Sequence, residues 1–346
     1  MDLYSNGRNM WMANDINDDT PITLQYMAKQ LMNDTTSFLH LFQDMFGKNY
    51  SDSQMMNSLN DYGSLANKEL ALRLIQLVIT PHFSFYNFLE AINSCYSGSF
   101  DRSQKSWDIG ASILLGSIPK GSDTAVAARF RTTWFTAAQE MCQYFGCNSI
   151  LVNLFSLELE LGKSAIKSNN CTDLQQHVDT LKSILFVPVI QGALHFSIEL
   201  EKNSTPFVIG AAQAFGLAIV PLVHNVSSRA SQHIRDRLVD LNPSNSNTIG
   251  TKDDVFKAFA RSWYGLGVDC SLIGSYFSSS TSFCAYIDTV EPEETYAPTS
   301  SPILAPVTSA GASPTLSPSF YPYSKVDLLD PSFSGQYNFT FNVATE

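Results

Sequence analysis

Asn203–Ser228 reads NSTPFVIGAAQAFGLAIVPLVHNVSS, a stretch without one Asp, Glu, Lys or Arg although polar sequence flanks it on both sides. About 20 apolar residues suffice to span a bilayer, so length alone admits a membrane helix. Its composition argues otherwise. Gln213 and His224 lie inside it, Gly and Ala outnumber the large aliphatic residues, and Pro221 breaks into its last third. Two N-glycosylation acceptor patterns, beginning at Asn203 and Asn225, bracket the run; both can be used only if both ends face one compartment. The expectation is a buried helix, or pair of helices, at the centre of a core.

Working outward, helical periodicity dominates. Thr20-Pro21 opens a helix with Leu24, Ala28 and Leu31 at helical spacing, and a second runs from about Thr36 to Phe46 before Gly47. Leu70, Leu74, Leu77 and Val78 form one apolar face that Pro81 kinks or ends. Ser106–Ser117 is a compact apolar helix. Asp123 caps a helix with Phe130, Trp134, Ala138, Met141 and Phe145 on one face, stopped by Gly146. Thr172 caps another, interrupted by Pro188 and continued through Glu201, and a last one carries Phe256, Phe259, Trp263 and Leu266 before Gly267.

The same order of parts occurs twice. Apolar helices meet Pro81 and Pro188, Gly110–Ile113 is echoed by Gly216–Ile219, and amphipathic helices end at Phe145-Gly146-Cys147 and at Leu266–Cys270. The fold class expected is therefore all-α, a duplicated helical domain over residues 20–285 with halves of about 20–165 and 170–285. A polar lead, 1–19, precedes it. Residues 286–325 form a linker rich in Pro, Ser and Thr, which cannot bury enough apolar surface to order itself. Residues 326–346 form a short tail in which Phe339–Val343 alternates like a strand.

A net charge of −11 repels phosphate backbones, which excludes nucleic acid as a partner. Six cysteines, Cys95, Cys142, Cys147, Cys171, Cys270 and Cys284, include no Cys-x-x-Cys pair, so disulfides rather than zinc are expected, with the pairing left open. With six acceptor patterns at Asn33, Asn49, Asn170, Asn203, Asn225 and Asn338, they point to an oxidising compartment. The first residues lack the charged-then-apolar order of a secretory signal. The expectation is that targeting lies in an upstream piece, or that the chain is cytoplasmic.

Phosphate loops, nucleophile elbows and zinc-protease helices are missing, so no enzyme is expected. The chemistry left is oxygen and imidazole. His82-Phe83-Ser84 and His195-Phe196-Ser197 share a tripeptide, and each His has an oxygen donor four residues on, Tyr86 and Glu199, hence on the same helical face. The competing reading of each His is a core or surface residue with a backbone partner. Asp108, between Trp107 and Ile109, is an acid in an apolar helix that must be paired, capped or metal-bound. Tyr144, Tyr264 and Asp269 stand at helix ends beside cysteines.

The segments SWDIGASILLGS, VPVIQGALHF, AFGLAIVPLVHNV and YGLGVDC, in this order, resemble the iron-assimilation family of diatoms and green algae, the phytotransferrin-type proteins. The resemblance spans roughly Ile22–Cys284. It implies cell-surface or periplasmic capture of ferric iron, with carbonate as co-ligand. Candidate ligands on chemical grounds are His82, Tyr86, Asp108, His195, Glu199 and Tyr264, in a cleft between the halves, since hard oxygen donors suit ferric iron. The tail would then reach cell-surface or membrane-associated partners. The reading from a different class is a glycosylated adhesion or scaffold module without metal.

Overall fold

The computed structural model describes residues 40–46, 64–115, 133–146, 150–241, 251–276, 283–287 and 290. All lie in the first of two compact units, Met1–Thr295. The described residues are predominantly helical, with no strand among them, so the all-α expectation holds. In chain order the helices are α1 (His40–Phe46), α2 (Leu65–Leu74), a π-helical turn (Ile75–Ile79) leading directly into α3 (Thr80–Tyr96), α4 (Phe100–Leu115), α5 (Trp134–Phe145), α6 (Ile150–Lys167), α7 (Cys171–Lys202), α8 (Pro206–Val226), α9 (Ser228–Leu238) and α10 (Lys252–Leu266). A 3-10 turn (Cys270–Leu272) and the short α11 (Phe283–Ile287) follow.

The charge-free stretch is one helix. Thr205 caps it by accepting from Val208 N, Pro206 stands where no donor is needed, and Ser227 closes it. Ser227 then caps α9 by accepting from Ala230 N at 3.1 Å, so a single residue turns the chain from one helix into the next. α8 packs on α2, α7, α9 and α10. α7, 32 residues and about 48 Å long, is the axis of the body and packs on α3, α5, α6, α8 and α10. These two helices are long and apolar enough to cross a membrane, yet 78% of the most apolar window of each is buried inside the protein. Their apolar surface is taken up by other helices. Asn203 and Asn225, at opposite ends of α8, are both exposed.

Several local expectations change. Pro188 does not interrupt its helix: α7 runs through it unbroken, because the core around Val187 and Val189 holds the backbone where an isolated helix would break. The cap of α7 is Asn170, accepting from Asp173 N, not Thr172. Pro81 does not end its helix either. A proline lacks the N–H that a π turn would direct at the carbonyl five residues back, and Thr80 Oγ1 donates to that Gln76 oxygen instead. The structure adds α6 and α9: α6 exposes Ile150, Leu157 and Leu161, which blurs its apolar face, and α9 is only 11 residues long. The opening helix near Thr20, the Asp123 cap with Phe130, the loop 242–250, Cys147, the tail and all of the linker but Tyr286, Ile287 and Val290 lie outside the described residues, and Tyr286 and Ile287 belong to α11.

Two indoles lock the body. Trp107 of α4 donates to Leu159 O of α6 at 3.1 Å, and Trp134 of α5 donates to Leu185 O of α7 at 3.0 Å. Gly162 lets α6 approach Trp107, because a Cβ there would run into the indole ring. Arg73, 1% exposed, binds Glu69 and Glu140 at 2.7 Å each and joins α2 to α5. α3 and α7, which carry the two echoed prolines, pack on each other. Gly110 faces Phe88 of the preceding helix, whereas Gly216 faces Leu238 and Val239 of the following one.

Candidate functional site

Two facing helices and one loop converge on His195. α7 presents Gln191, His195 and Glu199 in one column, four residues apart. α5 presents Glu140 and Tyr144 with the same spacing. The loop after α10 brings Tyr276. This loop is shaped residue by residue. Gly267, at φ 67°, ends α10, and Asp269 caps the 3-10 turn by accepting from Ser271 N at 2.9 Å. Ile273 O accepts from Gln191 Nε2 at 2.9 Å. Gly274, at φ 78°, lies so close to Phe145 O that a Cβ would strike it. Ser275 N then donates to Phe145 O at 3.0 Å, satisfying a carbonyl that the end of α5 leaves without an intrahelical partner.

The result places Tyr276 Oη 3.1 Å from His195 Nδ1. Tyr144 stacks on the imidazole, with ring centroids 3.8 Å apart and planes 20° apart. Tyr276 also feels the Glu199 carboxylate, whose charge and hydrogen-bonding reach favour the protonated phenol, and Glu199 in turn accepts from Lys202 Nζ at 2.9 Å. A carboxylate only accepts, so the phenol proton goes to Glu199. His195 Nδ1–H then donates to the phenol oxygen, and Nε2 keeps its lone pair. Burial pushes His195 down to about 4, against the opposing pull of Glu199 and Glu140, so the imidazole is neutral at pH 7. Burial, then the Glu199 charge and hydrogen bond, push Tyr276 up to about 12. The arrangement is a Glu–Tyr–His relay that holds one phenol proton and one imidazole lone pair in a partly buried seam.

Of the six candidate ligands, the structure brings His195 and Glu199 together here. The others have different surroundings. His82 is 4% exposed in α3, set edge-on to Phe42 and pushed down to about 3 by burial. Tyr86 is half-buried and stacks with Phe83. Asp108 pairs with Lys163 at 2.8 Å, both about one-third exposed. Tyr264 is 79% exposed on α10. Sequence reasoning missed Tyr276, whose neighbours carry no periodic pattern. A usable signal was its place between Cys270 and Cys284, which pair with each other. The sequence marks Tyr144 only as a tyrosine at a helix end.

Among the described residues no three His, Cys, Asp or Glu side chains converge as a metal-binding group, so a metal at this place would need tyrosine oxygen. The described cysteines are all disulfide-bonded, with Cys95–Cys171 and Cys270–Cys284 paired, so they offer no thiolate. No protein-family model, curated protein or solved structure matches this chain.

Proposed function

We propose that the chain captures ferric iron outside the cytoplasm for uptake, with Tyr276, Glu199 and His195 as protein ligands and carbonate oxygen completing the coordination. The reading rests on the 3.1 Å approach of Tyr276 Oη to His195 Nδ1. Neighbouring ligands of an octahedral hard cation, with bonds of about 2.1 Å, stand about 3 Å apart. The pair is therefore spaced as two adjacent ligands once the imidazole proton moves from Nδ1 to Nε2 and the phenol proton is lost. Phenolate, carboxylate and neutral imidazole form a hard set suited to Fe(III) rather than to a soft metal. The same cation would expel the Tyr276 phenol proton, since a bound metal inverts the local acidity. Two anionic ligands leave one positive charge on Fe(III), which favours an anionic co-ligand such as carbonate. The disulfides agree with an oxidising compartment.

Titration of the purified protein with ferric nitrilotriacetate, with and without bicarbonate, tests this. The expected result is a visible tyrosinate-to-iron charge-transfer band that needs bicarbonate for full intensity and vanishes in Tyr276→Phe. No band and no metal retained after desalting would overturn the reading and leave the adhesion or scaffold role. A band that survives in Tyr276→Phe would place the ligand elsewhere.

A further inference from the structure

Tyr276 reaches His195 from a stretch with little regular structure. It follows the three-residue turn Cys270–Leu272, and its backbone neighbours meet the body through Gln191 to Ile273 O and Ser275 N to Phe145 O. The chain returns at Phe283, whose N donates to Gly274 O at 3.3 Å and whose ring packs against Trp263 at 5.1 Å. Cys284 follows and bonds Cys270, closing a ring of sequence separation 14 around Tyr276. The other described bridge, Cys95–Cys171, ties the end of α3 to the start of α7; Cys95 is 2% exposed and Cys171 is half-buried. Cys142 is also buried, whereas Cys270 and Cys284 are both only half-buried. Thiol–disulfide exchange needs an attacking thiolate to reach a sulfur, and the bridge around Tyr276 has two half-buried cysteines where Cys95–Cys171 has one.

We infer that Cys270–Cys284 is a redox strap that sets whether Tyr276 is held at His195 and Glu199, so that an external dithiol disassembles the site while the helical body stays folded. In the step, the thiolate of a dithiol attacks one sulfur and the Cys270–Cys284 bond breaks. The second thiol then closes the dithiol into its own disulfide. Two electrons and two protons pass to the protein, leaving two cysteine thiols. Release of a bound trivalent cation by this route rests on the proposed iron reading. The strap's hold on Tyr276 does not.

The test uses the full chain, ring-labelled with ¹³C-tyrosine, and Ga(III) as a trivalent probe that dithiols do not reduce. Graded dithiothreitol is added, thiols are trapped by alkylation, and the modified cysteines are mapped by mass spectrometry. The expected result is that Cys270 and Cys284 are trapped before Cys95 and Cys171. In metal-free protein the Tyr276 resonance, assigned with Tyr276→Phe, moves to an exposed-tyrosine position while far-UV helicity is kept. Ga(III) affinity falls about 100-fold, the size of the loop-closure entropy released by opening a ring of this length. The double variant Cys270→Ser/Cys284→Ser should reproduce the reduced state; selective reduction of the wild type supplies the same readout if that variant does not fold. An unmoved Tyr276 resonance after selective trapping, or loss of helicity together with it, overturns the inference. A Tyr276 resonance that moves in protein that never bound Ga(III) supports the strap and removes the metal reading instead.

Discussion

His82 gives the sharpest separation between a ligand and a core histidine. Buried against Phe42 with its acidity pushed to about 3, it stays neutral in the folded state well below the value near 6.5 at which the unfolded chain takes up a proton. The folded state therefore binds fewer protons than the unfolded state over that window. Stability contributed by the neutral ring is complete above about pH 6.5 and is lost progressively as pH falls towards 3. The full loss is ~5 kcal/mol, and about 3 kcal/mol of it is reached at pH 4. His82→Leu keeps an apolar contact with Phe42 and removes the titration. Urea unfolding followed by far-UV circular dichroism at pH 7.5 and pH 4 should show the wild type losing about 3 kcal/mol more than the variant on acidification. His195 and the carboxylates titrate in both proteins and cancel in the comparison. Equal losses would refute the buried-neutral assignment, and loss of metal retention in His82→Leu with unchanged pH dependence would restore His82 as a ligand.

Two other outcomes bear on the fold and on Asp108 as a candidate ligand. Gly162→Ala drives a methyl into the Trp107 ring; overpacking of about 1–3 kcal/mol, offset by up to about 1 kcal/mol of helix propensity, should lower Tm and alter the near-UV signal of Trp107, and an unchanged Tm would show that α6 is free to retreat. Asp108→Asn removes a half-exposed pair with Lys163 and should change stability by less than about 1 kcal/mol with Fe(III) retention unaltered; a loss of retained iron would return Asp108 to the ligand set.

The helical class and the core status of Asn203–Ser228 were legible because period and composition are local properties: apolar residues at helical spacing, Thr205-Pro206 at one end and Ser227 at the other require no knowledge of partners. The pairing of His195 with Glu199 was legible for the same reason, since four residues on a helix share a face. Pro81 and Pro188 read as breaks because sequence reports the missing donor and the ring but not the neighbours that hold the backbone. His82 and His195 share a tripeptide yet end in opposite settings, one edge-on to Phe42 and one in contact with two tyrosines, and no local pattern distinguishes them.

What the chain alone determined, then, is a helical body with its most apolar segment inside and a His–Glu face on one helix. Which His acquires a phenol was decided only by the fold. Tyr276 is distant in sequence from His195 and reaches it because Gly274 adopts a left-handed conformation beside Phe145 O, Ser275 N takes that carbonyl, and Cys284 closes the chain back on Cys270. Each of these is a long-range meeting of groups that satisfy one another, and local sequence periodicity carries no record of such meetings.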